Sequence, residues 1–149
     1  MGGRPKPRLA YAGKLLLGAA LVLLGIWASV WLLGFLSVFD LFPHSWWAYH
    51  FKLVMLAHTM LAAIPFIAIV ALLMARIFRF KVILSAFVCV VAATIVSFAG
   101  ALAEPADVVL SMMRETSPLF LSFLIGVPLL CGVISRRKST PHAISFQAH

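Results

Sequence analysis

The sequence predicts an all-α integral membrane protein, with four transmembrane helices in an antiparallel bundle and both the N and C termini cytoplasmic. Three observations predict it. Of 149 residues, 64% are hydrophobic and only 11% charged, where a soluble domain carries about 25% charged residues. The apolar residues fall in four long runs, and a chain this short cannot bury four such runs in one globule. All four acidic residues (Asp40, Glu104, Asp107 and Glu115) fall in the first and third connections, whereas ten of the twelve Lys and Arg fall on the other side.

Residues 1–14 form a basic N-terminal tail. Arg4, Lys6 and Arg8 alternate with Pro5 and Pro7, so the tail is expected to be extended and solvated over its first eight residues. Lys14 marks the first membrane boundary. Met1-Gly2-Gly3 resembles a myristoylation signal, but Lys6 stands where that motif needs Ser or Thr, which argues against lipidation. The first span, about residues 15–39, has 25 uncharged residues, or about 37 Å of helix. It is too long for a signal-peptide core and lacks a small-residue cleavage site, so it is expected to remain as a span.

The segment from Asp40 to His50 combines Pro43 with Trp46, Trp47 and Tyr49. Amphipathic rings favour the headgroup level, so the segment reads as a short interfacial turn. The second span, about 51–75, opens with Lys52, which can snorkel outward, and contains Pro65, which predicts a kink. Arg76, Arg79 and Lys81 fill a short basic connection that predicts the second and third spans as antiparallel neighbours.

The third span is about 82–103. Beyond it, Val108 to Met113 lies between two charged clusters and is too short to cross, so it is expected along the membrane surface. The fourth span, about 118–135, is marginal. Its apolar stretch Leu119 to Ile134 has 16 residues and includes Pro128, only about 24 Å, so it calls for local thinning or protein contacts. Arg136, Arg137 and Lys138 begin a basic tail, 136–149, whose end reads as disordered. Lys and Arg resist translocation, which places both tails and the basic connection in the cytoplasm.

Helices in lipid associate where small residues let backbones approach. The third span offers Ser85, Cys89, Ala93, Ser97 and Ala101 at four-residue spacing. Gly18 and Gly25 lie seven apart in the first span, Ala71 and Ala75 mark the second, and Ser122 and Gly126 the fourth. These are helix-packing faces, within the chain or toward another subunit. His58 lies inside the second span, where an ionisable ring is a functional candidate by default. Its bland alternative is a hydrogen bond to a neighbouring helix, through Thr94 or Ser97.

Two-histidine haem ligation would need a second intramembrane His, and there is none. His44, His50, Met112 and Met113 lack chelating spacing for copper. Cys89 and Cys131 lie in apolar runs without a CxxC pair, as buried small hydrophobes do. No cofactor and no metal are therefore expected. No Ser/His/Asp set, phosphate-cradling glycine loop or HExxH is present, so no catalytic residues and no enzyme are predicted. The spans carry no midplane carboxylate for ion coupling and the halves no evident repeat, which disfavours an active transporter. The net charge of +8 sits at membrane flanks without aromatic interleaving, so nucleic acid is not an expected partner.

The expected partners are the lipid bilayer and other membrane subunits or copies of the chain. The function predicted is noncatalytic: an accessory or assembly subunit of a membrane complex, or a homo-oligomer, acting through helix packing. The alternative is a small passive channel, a membrane-perturbing protein, or an immunity-type protein that binds a toxin. Short connections, the strong charge bias and the absence of a glycosylation sequon point to a bacterial inner membrane.

Overall fold

A computed structural model describes residues 7–36, 44–78, 81–99 and 104–137. They form α1 (Pro7–Leu36), α2 (His44–Ile77), α3 (Val82–Ala99) and α4 (Ala106–Arg137). Each helix holds an apolar window long enough to cross a bilayer, and only about a third of each window is buried within the bundle. The rest turns large apolar side chains outward, among them Leu24 and Trp31 on α1, Leu53 and Ile64 on α2, Ile95 on α3 and Leu129 on α4. Water does not sustain such a surface and hydrocarbon does. The protein is thus an integral membrane protein embedded in a lipid bilayer.

α1 begins at Pro7, whose fixed φ and missing N–H suit a first helical position. Residues 7–14, assigned from sequence to the tail, are therefore helical, and Tyr11 is drawn onto the bundle. Similarly, the turn expected before the second span is helical from His44; the chain bends at His50, whose φ of −130° and ψ of 33° leave helical geometry. Pro65 lies inside α2 beyond that bend.

Arg76 lies in the last turn of α2, where a cation complements the helix dipole. The Phe78 N–H still donates to the Met74 carbonyl at 2.9 Å, and the Lys81 carbonyl then opens α3 by accepting from the Ser85 N–H at 2.9 Å. Lys81 makes this turn with a left-handed φ of 54°, which costs a non-glycine residue roughly 1 kcal/mol.

α4 opens on the Pro105 carbonyl, which accepts from the Val109 N–H at 3.1 Å, with Asp107 in its first turn complementing the dipole. Val108 to Met113, expected to lie along the surface apart from the span, instead forms the first turns of one continuous helix. Pro118 has no N–H to offer the Arg114 carbonyl four residues back; the Ser117 hydroxyl donates to that carbonyl at 3.0 Å instead. Between Glu115 and Arg136 the helix carries 20 uncharged residues, about 30 Å, which matches the hydrocarbon thickness without local thinning.

Successive helices run antiparallel, forming two hairpins, α1–α2 and α3–α4. Around the bundle the order is α1, α2, α4, α3, so α2 and α3 lie across the diagonal and barely touch. The sequence-based expectation that they are neighbours is corrected. Their connection, residues 78–81, allows at most about 17 Å between the two helix ends, enough for the roughly 11–14 Å diagonal of a bundle with 8–10 Å spacing between adjacent axes. The placement of the glycines accords with this order: α1 and α4 carry Gly18, Gly25, Gly126 and Gly132, whereas α2 and α3 have none. Side chains of α2 (Ile67, Val70 and Met74) and α3 (Ile83 and Cys89) seat in these notches, joined at Gly25 by Phe123 of α4. Val22, Val70, Met74, Val90, Phe123 and Val127 fill the centre.

Candidate functional site

The small-residue faces identified in the sequence lie mainly between helices of this chain. Ser85, Cys89 and Ala93 are buried, with Ser85 and Cys89 against α1. The Tyr11 and Ser85 hydroxyls are 2.9 Å apart, and the Cys89 thiol donates to the Leu15 carbonyl at 3.5 Å. Gly18 makes that approach possible: a Cβ there would stand 2.7 Å from Cys89 Sγ and 3.0 Å from Met74 Sδ. One α1 notch thus receives a side chain from α2 and another from α3.

Gly25 repeats the device two turns on, where a Cβ would lie 2.9 Å from Val70 Cγ2 and 3.2 Å from Phe123 Cε1. Gly126 receives Ile67, whose Cγ2 would be 2.9 Å from an added Cβ. Cys131 donates to the carbonyl of the fully buried Ala71 at 3.4 Å, while Ala75 is half-buried. In lipid these close contacts hold the bundle, since hydrocarbon is as apolar as the side chains and offers little driving force of its own.

The other polar residues of the spans turn back on their own helices. Thr59 donates to the Met55 carbonyl at 2.8 Å, Ser97 to Ala93 at 2.8 Å and Thr94 to Val90 at 2.8 Å. The Ser122 hydroxyl lies 2.6 Å from the Pro118 carbonyl and 3.2 Å from Met60 Sδ on α2. His58 is buried, with Nδ1 3.0 Å from the Val54 carbonyl; that contact places the proton on Nδ1. The proposed bonds from His58 to Thr94 or Ser97 are replaced by these local bonds, because α2 and α3 lie across the diagonal.

Arg76, Lys81 and Arg136 are exposed at one end of the bundle. Arg137 ends α4, though its side chain lies outside the described residues, as do Arg79, Lys138 and Ala101. Trp46, Trp47 and Tyr49 belong to the short helical stretch before the bend at His50, and their rings likewise lie outside the description. Met112 and Met113 are exposed on α4. Among the described residues, no three of His, Cys, Asp and Glu gather to hold a metal.

Sequence reasoning missed Tyr11, Ser29 and Gly132. Tyr11, Leu15, Gly18, Val22, Gly25 and Ser29 alternate at spacings of four and three, a heptad stripe that would have extended the Gly18–Gly25 face in both directions. Ser29 is fully buried on it and donates to the Gly25 carbonyl at 2.8 Å. Gly132 seats Ile83 of α3, whose Cδ1 would be 3.2 Å from an added Cβ; its small neighbour at four-residue spacing is Pro128, which conceals the pattern.

Two adjoining hollows remain on the α3–α4 side. An apolar groove of about 280 Å³ runs between the two helices past Thr94, Ile95, Phe98, Phe120, Leu121 and Leu124. A wider hollow of about 590 Å³ meets it at Met113 and Ser117 and is edged by Leu110, Ser111 and Arg114. No protein-family model, curated protein or solved structure matches the chain.

Proposed function

We propose that the chain is a noncatalytic membrane component, an accessory or assembly subunit of a larger complex or a homo-oligomer, that binds partners through its lipid-facing exterior. The observation that carries this reading is the internal use of the small-residue faces. Ser85, Cys89, Gly18, Gly25 and Gly126 are occupied by the chain's own side chains, so a partner meets the outer surface. The charge bias favours a bacterial inner membrane with both tails and the basic end of the bundle in the cytoplasm, facing anionic lipid.

A passive pore lined by the Ser85 to Ser97 face is the weaker reading, because opening that face would break the Tyr11–Ser85 contact and empty the Gly18 notch. Native mass spectrometry of gently extracted, untagged protein in nanodiscs tests the proposal. A second protein at fixed stoichiometry, or a defined multimer without ion flux in liposomes, is the expected result. A solitary chain under all gentle conditions overturns it, and flux from a pure multimer replaces it with the pore.

A further inference from the structure

We infer that the α3–α4 groove is a binding site for one phospholipid, with an acyl chain between the two helices and the headgroup phosphate on Arg114. The groove opens beside Ile95 and Leu121, both exposed on the surface that faces hydrocarbon. Its polar groups make no demand on an occupant, since Thr94 donates to Val90 and Ser117 to Arg114 within their own helices. An occupant without hydrogen-bonding groups therefore fits its length.

The dimensions select an acyl chain. Along α4 the groove extends from Met113 to Leu124, eleven residues or about 17 Å, close to half of a hydrocarbon core of about 30 Å. One end lies at the charged boundary of α4 and the other near the middle of its uncharged stretch. That is the course of one leaflet's chain.

Charge selects the headgroup. Arg114 edges the hollow that continues the groove, beside Ser111, and among the described residues its guanidinium forms no ion pair. Glu115, next along the helix, meets the Ser111 hydroxyl at 3.4 Å instead. A guanidinium at the rim of an apolar channel complements a phosphate whose chain fills that channel, and Arg suits phosphate through its planar fork of donors. On the orientation proposed above, the lipid belongs to the outer leaflet.

The test uses the full chain in phosphatidylcholine nanodiscs doped with phosphatidylglycerol that carries a photoreactive diazirine midway along one acyl chain. Labelled peptides are then mapped by mass spectrometry. Labelling concentrated on the Ile95 and Leu121 peptides, at least about fivefold above the Leu24 and Ile64 surfaces, is expected. Leu121→Trp, which fills the groove, should remove that excess while leaving the α1 and α2 labels unchanged, which also reports that the bundle is intact. Arg114→Gln should lower it about fivefold and Arg114→Lys less. Even labelling of all four helices overturns the site, as does cross-linking of this groove to a second copy of the chain. Equal labelling of wild type and Arg114→Gln overturns the headgroup assignment.

Discussion

The two ends of the bundle differ in how they satisfy most of their polar groups. At the basic end, bonds join different helices: Tyr11 to Ser85, Cys89 to the Leu15 carbonyl and Cys131 to the Ala71 carbonyl. Toward the acidic end, Thr59, Thr94, Ser97, Thr116 and Ser117 bond carbonyls of their own helices. Cross-helix bonds and glycine notches draw the basic end together. Toward the acidic end the helices meet mainly through apolar contact, as in the Phe98–Phe120 ring pair at 4.9 Å, with the Ser122 hydroxyl reaching Met60 Sδ on α2 at 3.2 Å, and the α3–α4 groove opens there. Similar residue types thus tie one end and leave the other adaptable.

The sharpest way to break this contrast is to overfill the tied region. Gly25→Leu drives a side chain into Val70 and Phe123 and should cost about 3 kcal/mol of unfolding free energy in mixed micelles; an unchanged transition would remove the notch from the account. Gly25→Ala should still cost about 1 kcal/mol after its gain in helix propensity, while Gly13→Ala, where an added Cβ meets nothing within 4 Å, should stabilise by about 0.5 kcal/mol. The pair controls for propensity.

The tie itself is measured by a double-mutant cycle. Tyr11→Phe and Ser85→Ala should couple by about 1 kcal/mol, near the upper range for hydrogen bonds between membrane helices. No coupling would mean that the basic end is held by packing only. Smallest of all, Thr94→Val at the other end should change stability by less than about 0.5 kcal/mol, because the Val90 carbonyl retains its place in the helix ladder. A larger loss would show that this hydroxyl serves another helix.

Four spans and their alternating direction were legible because length and apolarity are one-dimensional signals. Gly18 and Gly25 were legible as a contact face for the same reason: their spacing alone puts them on one side of a helix. What those glycines receive was not. Cys89 and Phe123 reach them only because the helices are ordered α1, α2, α4, α3, and no local pattern encodes that order; the brevity of residues 78–81 suggested the wrong one. The extent of α4 was hidden differently. Asp107, Arg114 and Glu115 mark the edge of hydrocarbon, but a helix need not end where the membrane does, and the Ser117 bond that carries it past Pro118 looks in the sequence like part of a polar loop.

The notches of α1 also bear on how the protein is made. Gly18 and Gly25 are each filled from both sides, by Met74 and Val70 of the first hairpin and by Cys89 and Phe123 of the second. During synthesis the first hairpin enters the membrane with half of each notch unfilled, and lipid tails or an insertion factor must cover α1 until α3 and α4 arrive. The order of translation therefore separates a loose two-helix intermediate from a finished bundle, and α1, made before the other three, is among the last of the four to be completely packed.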